Sequence, residues 1–211
     1  MANPPHGALD SRRFLFVTGK GGVGKTTVCA ALALALAGRG KRVLIAMTGV
    51  QERLSSLLGS AAIGHDIQRV ATNVWASKME PEQAMEEYGL LVLKVRALSR
   101  RLFDNKYTNG FFRAVPGLFD WALLGKAWYH TTETRDDGSW LYDVVLFDAP
   151  STGHGLDMLR VPKVLVELAP PGVLRRDAER AWALFKDAER SGVVITTLPQ
   201  AMPISEACEL V

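Results

Sequence analysis

Short apolar runs recur along the chain, and stretches with helical patterning lie between them. Three of the runs are almost continuously apolar, which is the pattern of strands buried on both faces of a sheet. Two others are less apolar and are predicted as further strands. The five predicted strands cover 14–17, 43–47, 73–79, 142–148 and 192–198.

Helical patterning is clearest in two stretches. A helix predicted to start at about Lys25 is apolar almost all round, so we expect it to be buried. A second helix, over 174–190, is amphipathic. Its apolar stripe consists of Leu174, Ala178, Ala181, Trp182 and Phe185. Because the first strand, first helix and second strand form a βαβ unit, the sequence predicts an α/β fold with a mainly parallel central sheet flanked by helices.

Residues 81–133 combine helical patterning with many aromatic side chains, and Gly110 and Gly117 interrupt them. We predict a small helical insertion that covers one end of the sheet, with its aromatic and leucine side chains in the core. The whole chain, 1–211, is interpreted as a single domain that contains this insertion. It stops at Val211 as another helix begins, so we expect its C-terminal part to be absent.

The loop before the first helix carries the clearest chemical signature. Residues 19–26, "GKGGVGKT", fit the phosphate-loop pattern G-x-x-x-x-G-K-[ST], so the fold is predicted to be that of a P-loop nucleoside triphosphatase. Glycines let successive N–H groups point at phosphate oxygens, and the helix start adds its dipole. Lys25 is expected to reach the β- and γ-phosphates, and Thr26 to ligate Mg²⁺. The predicted nucleotide-binding residues are Gly19, Lys20, Gly21, Gly22, Val23, Gly24, Lys25, Thr26 and Thr27.

An acid follows the fourth predicted strand. Asp148 ends "VVLFD", and a carboxylate at that place can hold Mg²⁺ through the water shell that this ion retains. An aspartate at a strand end is also a common helix cap, so both roles stay open on position alone.

Charge and cysteine content limit the function classes. The net charge is +3 and Lys and Arg occur only in short groups, so nucleic-acid binding is not expected. Cys29 and Cys208 are far apart and lack metal-ligand spacing, which favours a reducing compartment. Residues 1–13 lack a signal-peptide core, and the most apolar run, 28–37, is shorter than the roughly 20 residues that span a bilayer. We therefore expect a cytoplasmic protein without stable membrane insertion.

A second lysine, Lys20, makes the loop a deviant Walker A sequence. "GKGGVGKTT" resembles a family of dimeric ATPases that includes the arsenite-pump ATPase, the tail-anchored-protein targeting ATPase, the MinD/ParA proteins and nitrogenase iron protein. "DAPSTGHGLDMLRVP" (148–162) resembles switch II of the arsenite-pump and targeting branch, and "MEPEQAMEEY" and "PGLFDWALLGKAW" resemble two further segments of that branch. In these, Glu80 takes the acidic position, and Asp120 stands where glutamate is usual.

The resemblance implies ATP and Mg²⁺ as cofactors, with Thr26 and Asp148 at the metal. It also implies that Lys20 and Lys25 are catalytic, and that Lys20 reaches across a dimer interface to the partner's nucleotide. Gly153 and His154 would belong to a switch that senses the γ-phosphate. The expected partner is a second copy or a paralogous ATPase, together with an unknown client.

One position departs from the family pattern. Gly49, in the first switch segment, stands where the branch has an aspartate that positions the attacking water, and glycine offers no acceptor. Gln51 or Glu52 are possible substitutes. The leading hypothesis is a dimeric, MgATP-dependent switch ATPase. One alternative is a catalytically weak or inactive regulatory subunit paired with an active paralogue. A further alternative is a MinD/ParA-like positioning ATPase.

Overall fold

The computed structural model describes residues 9–49, 52–93, 117–150, 155–169 and 171–209. Within them, six strands form one sheet. The strands are β1 Phe14–Thr18, β2 Val43–Met47, β3 Gln68–Ala71, β4 Val74–Lys78, β5 Val144–Asp148 and β6 Ser191–Ile195. The helices in the same residues are α1 Lys25–Gly38, α2 Leu54–Leu58, α3 Pro81–Leu93, α4 Leu118–His130, α5 Gly155–Leu168, α6 Val173–Lys186 and α7 Ala201–Glu209.

The strand order is β3-β4-β2-β5-β1-β6. All neighbouring strands are parallel except β3 and β4. Val17 of β1 and Met47 of β2 are both in register with Asp148 of β5. The carboxyl ends of these three central strands therefore meet at one edge, where open α/β sheets bind their ligands.

Helices cover both faces of the sheet. Side chains of β1 alternate between two cores: Leu15 and Val17 pack with α1, whereas Phe14 and Phe16 pack with α4 and α6. In each of the strands β1, β2 and β5, all five residues are buried. Burial on both faces explains why these strands appear in the sequence as continuous apolar runs. The predicted α/β fold with a mostly parallel sheet is confirmed.

Some elements differ from the sequence-based predictions. The pattern did not predict the short strand β3 or the helices α2 and α5. The helix predicted over 174–190 ends at Lys186, because Asp187 begins a tight turn in which its carbonyl accepts a hydrogen bond from the Ser191 N–H. Leu184, which lay outside the predicted apolar stripe, is buried.

The structure describes two helical parts of the predicted insertion over 81–133, α3 and α4, whereas 94–116 lie outside the described residues. Helix α4 packs on a face of the sheet rather than over its end. Trp121 and Trp128 are core residues as expected, while Phe119 and Tyr129 are 38% and 39% exposed. Among the described residues, no helix has the length and apolar character needed to cross a membrane.

Arg13 connects three parts of the fold. Its guanidinium is buried and donates to the carbonyl oxygens of Tyr142 (2.7 Å), Asp143 (2.8 Å) and Thr131. Its other face lies 4.2 Å from the centre of the Trp140 ring. Burial lowers the pKa of Arg13 to about 10, against the opposing effect of Asp143. The side chain thereby holds the start of β1 against the segment that enters β5 and the end of α4.

Arg13→Met is expected to lower the free energy of unfolding by about 2–4 kcal/mol, because it leaves buried carbonyls without donors. Chemical denaturation monitored by circular dichroism measures the change. Arg39→Met is the control, since Arg39 pairs with Asp10 at an exposed site, and it should change the value by about 0.5 kcal/mol or less. Equal effects of the two substitutions would contradict a structural role for Arg13.

Candidate functional site

The loop between β1 and α1 lies at the carboxyl edge of the sheet. Gly19, Gly22 and Gly24 have φ angles of 143°, 81° and 89°, which side-chain-bearing residues rarely adopt. Gly24 is the N-cap of α1, and glycine has no side chain with which to cap the helix. The cap residue therefore offers no side-chain acceptor to the first N–H groups of α1, and free N–H groups at a helix start are the arrangement that binds anions.

Gly19 is required by packing as well as by backbone conformation. A Cβ on this residue would lie 2.2 Å from the Thr196 carbonyl oxygen and 2.8 Å from its Oγ1. Thr196 follows β6, and its N–H and hydroxyl both donate to the Thr18 carbonyl, at 2.8 and 3.0 Å. The start of the loop thus packs directly against Thr196, the residue that follows β6.

Lys25 is held inside the loop. Its Nζ donates to the carbonyl oxygens of Gly19 and Lys20, both at 3.1 Å, and the residue is only 7% exposed. Burial lowers the pKa of Lys25, while Asp148 acts in the opposite direction. The loop therefore surrounds a fixed cation, as phosphate binding requires.

Thr26 and Asp148 are brought together across the strand–helix boundary. The Thr26 hydroxyl donates to Asp148 Oδ2 at 2.6 Å, and Asp148 is 4% exposed. Burial raises the pKa of Asp148, whereas the Thr26 hydroxyl, Lys25 and the Cys29 thiol act to lower it. A hydroxyl oxygen and a carboxylate, side by side, are the hard oxygen ligands that Mg²⁺ prefers.

The sequence did not predict that Cys29 influences the pKa of Asp148. It was expected to be a small core residue, and it is fully buried in α1. Its thiol acts to lower the pKa of Asp148, and burial raises the pKa of the thiol. Thr48 is a further neighbour that the pattern did not predict, since its hydroxyl donates to the Asp148 carbonyl at 2.7 Å.

Gly49 follows Thr48 at the same edge of the sheet and is exposed. Of its two possible substitutes, Glu52 is engaged elsewhere. Its carboxylate accepts hydrogen bonds from the N–H and hydroxyl of Ser55 and from the Ile63 N–H. Burial acts to raise the pKa of Glu52, but these hydrogen bonds lower it overall. Gln51, and the predicted switch residues Gly153 and His154, lie outside the described residues.

The remaining loop residues are less enclosed. Gly21, Gly22 and Thr27 are exposed, and Val23 is buried. Lys20 contacts a distant helix instead: its Nζ donates to Glu206 Oε1 of helix α7 at 2.7 Å. Nothing in the local sequence predicts that partner.

Comparisons with known proteins agree with this geometry. The sequence model of the family described as "Anion-transporting ATPase" matches residues 12–169, which include the β1–α1 loop and Asp148. ATPase BagA of Mycobacterium tuberculosis is 30% identical over 96% of this chain and 61% of its own length. An arsenical pump-driving ATPase of Escherichia coli is 28% identical over 92% of this chain and 35% of its own length.

ATPase GET3 of Kluyveromyces lactis is 28% identical over 75% of this chain and 47% of its own length. The chain thus spans less than two thirds of the length of each of these three relatives. The predicted resemblance to the arsenite-pump and targeting branch is confirmed, because the family match covers most of the chain and relatives from both groups are found. The chain belongs to the anion-transporting ATPase family.

Proposed function

We propose that this chain is a nucleotide-dependent ATPase subunit that binds MgATP in the β1–α1 loop. The observation that carries the proposal is the convergence of three features on one edge of the sheet. These are the buried Lys25 ammonium, the start of α1 without a side-chain cap, and the Thr26–Asp148 pair. Each feature suits a different part of a magnesium–triphosphate complex. Lys25 suits the phosphate oxygens, the helix start suits their delocalised negative charge, and the Thr26–Asp148 pair suits the metal.

The residues have distinct roles in this proposal. Loop N–H groups and Lys25 hold the β- and γ-phosphates, and Thr26 and Asp148 hold the metal. A bound Mg²⁺ would neutralise negative charge on the phosphate oxygens. Fixed donors that face developing charge stabilise phosphoryl transfer without having to reorganise, so the buried position of Lys25 favours both binding and catalysis.

We further propose that the working unit is a dimer, formed with a second copy or with a paralogous ATPase. Lys20 would reach the partner's nucleotide, and Gly153 and His154 would belong to the switch that senses it. Support comes from the loop sequence, in which Lys20 accompanies an otherwise complete phosphate-binding pattern. The client of such a switch is not specified by these residues.

A second candidate is a regulatory subunit with little turnover of its own. It is favoured by Gly49, which has no side-chain acceptor to orient a water, and by Glu52, whose carboxylate is occupied by Ser55 and Ile63. In this case the chain would bind MgATP and complete the assembly, and an active paralogue would hydrolyse the nucleotide.

Gly49→Asp distinguishes the two candidates. The unmodified chain alone is expected to hydrolyse MgATP slowly, and the substitution to raise kcat at least about tenfold, since a placed general base contributes roughly 10²–10⁴-fold. Gly49→Asn is the matched control because it adds the same shape without the carboxylate, and it should bring no gain. A steady-state phosphate-release assay measures all three proteins. Robust turnover by the unmodified chain would contradict the regulatory candidate, and equal gains from Asp and Asn would contradict the assigned role of position 49.

A further inference from the structure

The two lysines of the loop are held in different ways. Lys25 is buried and bonded to two carbonyls of its own loop. The Lys20 ammonium instead lies 2.7 Å from Glu206 Oε1, and the two side chains are 31% and 40% exposed. Glu206 lies in α7, at the far end of the chain in sequence, so this contact exists only in the folded protein.

Exposure makes this ion pair exchangeable. A pair this open to solvent shifts an equilibrium by at most a factor of about five, equivalent to about 1 kcal/mol. That is enough to bias where the Lys20 ammonium lies, and little enough for a more highly charged anion to replace the carboxylate. A triphosphate is such an anion, because several of its oxygens are charged.

We propose that Glu206 is a positioning residue that holds Lys20 on its own chain, and that Lys20 leaves Glu206 when it engages the phosphates of a partner's nucleotide. The inference rests on the proposed function, in which Lys20 acts across a dimer. Lys20 exchanges one anionic partner for another and is never left unpaired. Glu206 loses its cation in the exchange, and this loss opposes assembly, so removing the Glu206 charge should favour the dimer.

The contact itself can be tested without nucleotide. Acylation of the full chain by an N-hydroxysuccinimide ester, quantified by mass spectrometry, reports how free the Lys20 amine is. Glu206→Gln should raise Lys20 acylation roughly two- to fivefold relative to Lys163, an exposed lysine on α5. Glu179→Gln removes the glutamate of the exposed Arg175–Glu179 pair and should leave Lys20 unchanged. No difference between Glu206→Gln and the unmodified protein would overturn the proposal.

The role in assembly is tested by sedimentation velocity in MgATP. Glu206→Gln should lower the dimer dissociation constant roughly two- to fivefold, and this gain should vanish in a Lys20→Ala background. If Glu206 only held α7 in place, Glu206→Gln would lower the stability of the fold and would have no Lys20-dependent effect on the dimer dissociation constant.

MgATP binding is measured in parallel, at protein concentrations too low for dimerisation. Without binding, the proposed function and this inference both fail. With binding and assembly but no Lys20-dependent gain, only this inference fails.

Discussion

Replacing Lys25 by methionine is expected to weaken MgATP binding at least about 100-fold. The Lys25 ammonium is the buried cation of the loop, and it donates to the carbonyl oxygens of Gly19 and Lys20. In the proposed function, its charge attracts the phosphate oxygens of the nucleotide. Methionine keeps the length and apolar stem of the side chain while removing the charge, so the loss reports the ammonium itself.

Titration with a fluorescent ATP analogue in excess Mg²⁺ measures the effect. Lys163→Met is the control, because Lys163 is an exposed lysine on α5 and its loss should leave affinity unchanged. Circular dichroism and a thermal melt show whether the Lys25→Met protein remains folded. Affinity close to that of the unmodified chain, in a folded Lys25→Met protein, would contradict the assigned role of Lys25.

Gly19→Ala is expected to lower the free energy of unfolding by about 2–4 kcal/mol and to weaken nucleotide binding at least about tenfold. The φ angle of 143° is unfavourable for alanine, and the new Cβ would lie 2.2 Å from the Thr196 carbonyl oxygen. Because this neighbour is backbone at the end of β6, either the loop or the strand must move. We therefore expect the folded protein to be less stable and the loop N–H groups to point in altered directions.

Gly38→Ala is the matched control for this substitution. Gly38 is the last residue of α1, and an added Cβ there meets nothing within 4 Å. We expect a neutral effect or a gain of up to about 1 kcal/mol, since alanine favours helix. Denaturation and MgATP titration are carried out on both variants. A Gly19→Ala protein as stable as Gly38→Ala would contradict the close approach between the loop and Thr196.

Parts of this fold could be predicted because burial leaves a local pattern. Strands β1, β2 and β5 are apolar except for Thr18 and Asp148 at the ends of β1 and β5, since both faces of the sheet are covered. Strand β3 was missed because it is short and has only one buried residue, Val70. Helix α4 was predicted as helical but placed over the end of the sheet. Periodicity shows which side of a helix is buried, and it does not show which surface the helix contacts.

The candidate site was also predictable in part. The spacing of the loop residues was enough to predict a phosphate-binding loop, and the strand-end position of Asp148 indicated where its carboxylate lies. The contact between Lys20 and Glu206 could not be predicted, because the two residues are 186 positions apart and no motif links them. Cys29 illustrates an intermediate case: its burial followed from the apolar helix, but its effect on the pKa of Asp148 could not be predicted without the fold.

The most direct test of the central claim is calorimetric titration of the unmodified chain with nucleotides. The proposed site predicts one MgATP per chain, weaker binding when EDTA removes Mg²⁺, and little binding of AMP, which lacks the β- and γ-phosphates that the loop and Lys25 would hold. Equal affinity for MgATP and AMP, or the absence of any MgATP binding by the folded chain, would contradict it.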